Sequence, residues 1–197
     1  WSWDITYLPS TVKGQFYYLY AFEDIYSRKL VGYEVYEQEC GHLAAQLTQR
    51  CMLREQCFNK PPVLHSDNGA PMKSLTMKAK LEELGIVRSL SRPRVSNDNP
   101  FSESTFRTLK YCPQWPSNSF SSLDDARAWV HRFINWYNNE HKHSKINFVT
   151  PAQRHAGKDA EILAKRKRVM EQAKAKNPLR WSGNVRNCDP AGPVSLN

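Results

Sequence analysis

Trp1-Ser2-Trp3-Asp4-Ile5-Thr6-Tyr7-Leu8 alternates with a period of two. Trp1, Trp3, Ile5 and Tyr7 fall on one face of an extended strand, and Ser2, Asp4, Thr6 and Leu8 on the other. The pattern predicts a β-strand that buries an aromatic face and carries Asp4 on a mostly polar one. Punctuation at 9–14 follows, then a Tyr- and Phe-rich run at 15–22, a turn at 24–28 and an aromatic and β-branched run at 29–36. Three strands joined by short turns predict an antiparallel meander.

Downstream the period changes. After Gly41, the residues Leu43, Ala44, Leu47, Cys51 and Met52 recur at helical spacing up to about Glu55. Pro61 and Pro62 lead into 63–67, a compact apolar run ending in a polar cluster, as expected of a buried strand whose carboxyl end opens on a site. A helix over 73–84, stopped by Gly85, and a short strand over 87–90 complete a strand-helix-strand unit. Such a unit implies parallel pairing through a right-handed crossover.

Residues 92–97 contain Pro93 and no apolar period, and read as a loop. Asn99 offers an N-cap and Pro100 the first position of a helix that Pro113 must end. Ser122 and Asp125 form a capping-box pair opening a helix with Leu123, Ala126, Val130, Phe133, Ile134 and Tyr137 on one face. A basic helix is expected over 159–176, with an irregular end beyond it. The chain thus divides into a core at 1–151 and a basic extension at 152–197.

The length of 197 residues suits one ordinary domain with a short appendage, and 40% hydrophobic with 24% charged residues is a globular balance. No apolar run approaches the roughly 20 residues that span a bilayer, so no membrane partner is expected. The chain begins at Trp1 without Met or a secretory leader, which predicts a piece of a longer cytoplasmic protein. Net charge is +9; residues 154–186 carry ten basic against three acidic side chains, while 1–153 carry eighteen against fifteen. Clustered cations of this kind fit a polyanion, because phosphates release condensed counterions to them, although a solvated helix face has the same composition. Five scattered cysteines with no C-x₂₋₄-C spacing argue against a disulfide framework and a closed zinc site. His141 and His143 lack a second ligand pair nearby, so a surface or DNA-facing role is expected of them.

Three acids stand where a site can form: Asp4 in the first strand, Asp67 at the end of the fourth, and Glu103 in the first turn of the helix after the loop. If the first and fourth strands are neighbours, Asp4 and Asp67 face each other, and the returning helix brings Glu103 over them. Like charges so close raise one another's proton affinity, so a cation is required. Carboxylate oxygens without Cys or His favour Mg²⁺ or Mn²⁺, and two such ions about 3.5–4 Å apart suit phosphoryl transfer on nucleic acid. Each acid alone has an ordinary alternative: a strand Asp pairs with a cation, and Asp67-Asn68-Gly69 is a common turn. Arg107 and Lys110 share a helix face with Glu103 and can grip a DNA backbone there.

Several stretches carry a resemblance. They are Trp1-Ser2-Trp3-Asp4-Ile5-Thr6, His65-Ser66-Asp67-Asn68-Gly69, and the run from Asn97 through Glu103 to Lys110; 35 residues lie between Asp67 and Glu103. Together they resemble the catalytic core of retroviral-integrase-like bacterial transposases, most closely those of insertion-sequence family three. Trp136 to His143 and Phe148-Val149-Thr150-Pro151 resemble that family's closing helix and turn, with His141 where Arg is common; Asn177 to Gly183 resembles tails in one branch.

The resemblance implies a ribonuclease-H-like α/β fold, with a mixed five-stranded sheet and helices on both faces. It implies a DNA transposase, a metal-dependent polynucleotidyl transferase that exposes a 3′ end and transfers it to target DNA. Asp4, Asp67 and Glu103 would hold one or two Mg²⁺ or Mn²⁺ ions. Arg107, Lys110, His141, His143 and the extension's Lys165, Arg166, Lys167 and Arg168 would contact DNA. It further implies a homo-oligomer on paired element ends, nucleoid association, and an N-terminal recognition region outside this chain. A nuclease or resolvase of the same fold, or a DNA-binding remnant of an element, are the alternatives.

Overall fold

The computed structural model describes residues 1–92 and 98–196. They form two compact units: one comprises Trp1–Ile25, Leu30–Ile134 and the chain end from Ser195; the other comprises Tyr26–Lys29 and Asn135–Val194. The first unit is built on five strands, β1 (Ser2–Pro9), β2 (Phe16–Glu23), β3 (Leu30–Tyr36), β4 (Val63–Ser66) and β5 (Val87–Leu90), in the order β3-β2-β1-β4-β5. β1, β2 and β3 pair antiparallel, whereas β1-β4 and β4-β5 pair parallel. The mixed sheet expected of the sequence is present, with every strand within a residue or two of its expected place.

The alternation in β1 decides which layer lies on which face. Trp3 stacks on Phe22 at 5.1 Å, and with Tyr20 and Leu64 it packs under helices α1 (Gly41–Glu55) and α3 (Leu75–Glu83). The opposite face carries Ser2, Asp4, Thr6 and the fully buried Leu8, and receives helix α4 (Pro100–Lys110). Helix α5 (Leu123–Asn139) follows, its Trp129 stacked on Phe133 and edge-on to Trp115 and Phe120.

The expected helix over 73–84 is α3, starting two residues later, and an unexpected short α2 (Ala70–Lys73) precedes it across Ser74. Ser74 takes a backbone angle ψ of 145°, and its hydroxyl accepts from the Met77 N–H, so it caps α3 instead of continuing one helix. Asn99 is also not the N-cap expected: its side chain caps nothing on α4 and bonds to β1 instead. At α5, Ser122 does accept from the Asp125 N–H, but the Asp125 carboxylate reaches back to Ser121. The expected loop at 92–97 lies, from 93 on, outside the described residues.

The second unit contains α6 (Pro151–His155), opened by a reciprocal box between Thr150 and Gln153, and α7 (Asp159–Lys176), bounded as expected. Ile146, Val149, Leu163 and Cys188 form its apolar cluster. Arg154, one of the cations counted toward the basic extension, is 1% exposed. Its guanidinium lies 4.1 Å over the Tyr26 ring and 3.6 Å from Asp159, and donates to the carbonyls of Ala191 and Gly192. It holds this unit together and is withdrawn from any surface field. The two units divide the chain within α5.

Candidate active site

The parallel pairing of β1 with β4 sets Ser2 beside His65. Two residues further along each chain stand Asp4, within β1, and Asp67, the first residue past β4; paired strands lie about 4.8 Å apart. Asp4 sits within β1, the central strand of the sheet, and its Oδ1 accepts from the Ile5 N–H at 2.7 Å. Asp67 lies just past β4, where its Oδ1 accepts from the Gly69 N–H at 2.9 Å. A Cβ on Gly69 would stand 3.2 Å from that Oδ1 and 2.9 Å from the Met72 sulfur, so the turn favours the smallest residue. Asn68 donates to the Ser91 carbonyl at 2.7 Å, tying the turn to the end of β5.

Glu103 occupies the first turn of α4 and is exposed, as are Arg107 and Lys110 on the same helix face. The opposite face of α4 is buried and carries Phe101, Ser102, Thr105, Phe106 and Leu109. Polar contacts join this buried face to the sheet. Ser2 donates to the Asn99 Oδ1 and shares a 2.9 Å bond with Ser102. His65 bonds Ser89 through Nδ1 at 2.9 Å and the Asp98 carbonyl through Nε2 at 2.7 Å. Thr105 donates to the Glu23 Oε2 at 2.7 Å. Arg92 forms a bidentate pair with Asp98 at 2.7 and 2.9 Å and adds its backbone N–H, which pulls the Asp98 carboxyl down to about 2.

Electrostatics links the three acids singled out from the sequence. Burial raises the Asp4 carboxyl to about 7, the Ile5 N–H opposes this, and the negative charges of Asp67, Glu103 and Glu39 raise it further. Glu39, on the aperiodic stretch before α1, is a fourth acid that no spacing rule marks. Among the described residues, no group of three or more His, Cys, Asp and Glu is closed enough to hold a metal ion. The carboxylates lie within electrostatic reach of one another without forming a cage. Their donor set is oxygen only, which matches Mg²⁺ or Mn²⁺, and a cation here would offset the mutual repulsion of these acids.

The other expected DNA contacts are placed in the second unit. His141 stacks on Tyr137 at 5.4 Å, and His143 meets the same ring edge-on at 6.2 Å. Burial lowers both imidazoles, His143 to about 4, and the His143 Nδ1 accepts from the Lys145 N–H, which requires a neutral ring. Arg166 donates to the Asn147 and Phe148 carbonyls, where both residues have left-handed backbones with φ of 55° and 60°. Lys167 lies 3.8 Å from Asp189, while Lys165 and Arg168 are both exposed cations on α7.

Two family models described as integrase core domain match the chain, one over residues 1–96 and one over 84–151. The transposase for insertion sequence element IS904 of Lactococcus lactis is 28% identical over 156 residues, covering 77% of this chain and 58% of that protein. Transposase InsF for insertion sequence IS3A of Escherichia coli K12 is 30% identical over 155 residues, covering 78% of this chain and 52% of that protein. The chain therefore spans little more than half the length of these relatives. The HTLV-2 integrase catalytic core domain, solved in complex with magnesium, superposes with a TM-score of 0.54 at 17% identity, over 78% of this chain and 93% of that one. That likeness concerns the fold, which is ribonuclease-H-like.

Proposed function

This chain belongs to the integrase core family, in the branch of the insertion-sequence transposases, and from that premise we propose that it cleaves the 3′ ends of an insertion sequence and joins them to target DNA. The observation that carries the reading is the parallel pairing of β1 with β4 through Ser2 and His65, which brings Asp4 and Asp67 near each other, with α4 and its Glu103 packed against β1. Asp4, Asp67 and Glu103 would hold Mg²⁺ or Mn²⁺, as one or two ions. When bound, the metal would activate the attacking oxygen and stabilise the leaving one. Gly69 and Ile5 fix the two aspartates by backbone N–H donation. Arg107 and Lys110 would hold backbone phosphates beside Glu103, orienting the strand to be cut.

Lys165 and Arg168 would supply further phosphate contacts. Arg166 and Lys167 would contribute less, since both already have partners. A neutral imidazole brings no charge to a phosphate, so His141 and His143 would contact DNA only as hydrogen-bond donors. DNA is the partner, and the multimeric state, the additional recognition region and the nucleoid location belong to this same proposal.

The test is a strand-transfer assay with pre-nicked element ends, in Mg²⁺ and in Mn²⁺. Joined products are expected from the parent and none from Asp67→Asn, with DNA binding by that variant kept within about threefold. Cleavage without joining would make the protein a nuclease, and equal activity in Asp67→Asn would remove the site.

A further inference from the structure

Beneath α4 lies a carboxylate that the chemistry proposed above does not use. Glu23 ends β2 and is 2% exposed. In the β1-β2 register it pairs with Ser2, and Asp4 pairs with Ala21, so Glu23 and Asp4 project from the same face of the sheet. Burying a carboxylate is costly unless it is hydrogen-bonded. Here its Oε2 accepts from the Thr105 hydroxyl at 2.7 Å, and Thr105 is 4% exposed. A bond to a charged acceptor in a dry setting is among the stronger kinds.

Ser102 and Thr105 are three residues apart and therefore neighbours on one face of α4. Ser102 is held to Ser2 on β1, and Thr105 to Glu23 on the adjacent β2. Phe101, Phe106 and Leu109 seat the helix by apolar packing, which tolerates small rotations; the two directional contacts on different strands narrow that rotation. Glu103 lies between them in sequence and is exposed, so its direction follows from that rotation. The helix and its side chains have a radius of about 5–6 Å, and a swivel of about 30° would move the Glu103 carboxylate by about 3 Å. Metal-ligand distances tolerate about 0.2 Å, and misplacing a reacting group by about 1 Å costs on the order of 100-fold in rate.

We propose that Glu23 is a positioning residue which, through Thr105, sets the rotation of α4 and so aims Glu103 toward Asp4 and Asp67. The inference rests on the reading of these three acids as the metal site. It explains why a carboxylate is retained in a buried place where an apolar side chain would pack without a desolvation penalty.

The test compares Thr105→Val, which keeps the shape and loses the donor, with Thr105→Ser, which keeps the hydroxyl, and with Glu23→Gln, which keeps an acceptor without charge. Three readouts are taken on the whole chain well below the melting temperature: hydrogen exchange of the α4 amides, Mn²⁺ affinity by calorimetry, and kcat and KM for cleavage. Thr105→Val is expected to exchange at least tenfold faster in the first turns of α4. Its Mn²⁺ affinity should weaken by about tenfold, and its kcat should fall 10- to 100-fold at unchanged KM for DNA. Thr105→Ser should stay within about threefold of the parent throughout, and Glu23→Gln should fall between.

If Thr105→Val only melts earlier, with exchange, Mn²⁺ affinity and kcat at parental values, the positioning role is overturned. Should Thr105→Val not fold, the same readouts on Glu23→Gln decide, and parental values there overturn the role equally. A parent that binds no Mn²⁺, or binds it as well after Asp67→Asn, sinks the metal-site reading instead. The exchange data would then still report whether the contact orders α4.

Discussion

Asp98 and His143 show how single side chains answer to burial and partners. Asp98 keeps its charge because Arg92 grips both its oxygens, so its contribution to stability is present above the usual carboxylate range and is lost as pH falls from about 4 to about 2. His143 is the reverse case. Burial first, then the charges of Arg28, His141 and Lys145, hold its folded pKa at about 4, below the 6.5 of an unfolded chain. Between those values the unfolded state binds more protons, so stability falls as pH drops from about 6.5 to about 4 and is flat above. Acid titration of thermal stability is expected to show this limb, on the order of 2 kcal/mol after solvent screening. His143→Asn, whose side-chain oxygen can still accept from the Lys145 N–H, should flatten it. An unchanged limb in that variant would place the titrating group elsewhere.

At the scale of elements, the meander and α1 meet closely where β3 has no side chain. A Cβ on Gly32 would lie 2.0 Å from the buried Cys51 sulfur on α1, so the strand and helix can approach only because position 32 is glycine. Gly32→Ala is expected to cost about 1–3 kcal/mol by overpacking. Removing the sulfur with Cys51→Ala opens room, so the double variant should be more stable than the sum of the single effects predicts, by about 1 kcal/mol or more. Additive effects in denaturant titrations would show that the two elements relax apart instead. A second glycine allows a similar approach: a Cβ on Gly41, the first residue of α1, would collide with the Ser74 hydroxyl between α2 and α3.

For the whole molecule, the net charge of +9 predicts DNA affinity that falls steeply with salt. The cations are not equivalent, however. Replacing Lys165 and Arg168 by Ala should reduce the slope of log K against log salt by about 2 with little change in melting temperature. Arg166→Ala should instead lower stability by roughly 1–3 kcal/mol, because it leaves the two left-handed residues Asn147 and Phe148 without their carbonyl donor. A slope that does not change in the first variant would remove α7 from the DNA surface.

Period and punctuation determined the strands, their order of appearance and most helix limits, because burying one face of an element imposes a repeat that can be counted. Asp4 could be assigned to the polar face of its strand for that reason, and the spacing from Asp67 to Glu103 is read directly. What only the tertiary structure decided is where polar and charged groups end up once distant segments meet. Glu23 at a strand end and Arg154 in a basic stretch both resemble solvent-facing residues, yet one is buried under Thr105 and the other against Tyr26 and Asp159. Asn99 leaves its expected cap to bond β1, and Glu39 adds its charge to Asp4 from a segment without period. Hydrophobic burial is a collective, periodic demand that a local pattern records. The pairing of a buried polar group depends on one partner far along the chain, and no local pattern encodes it.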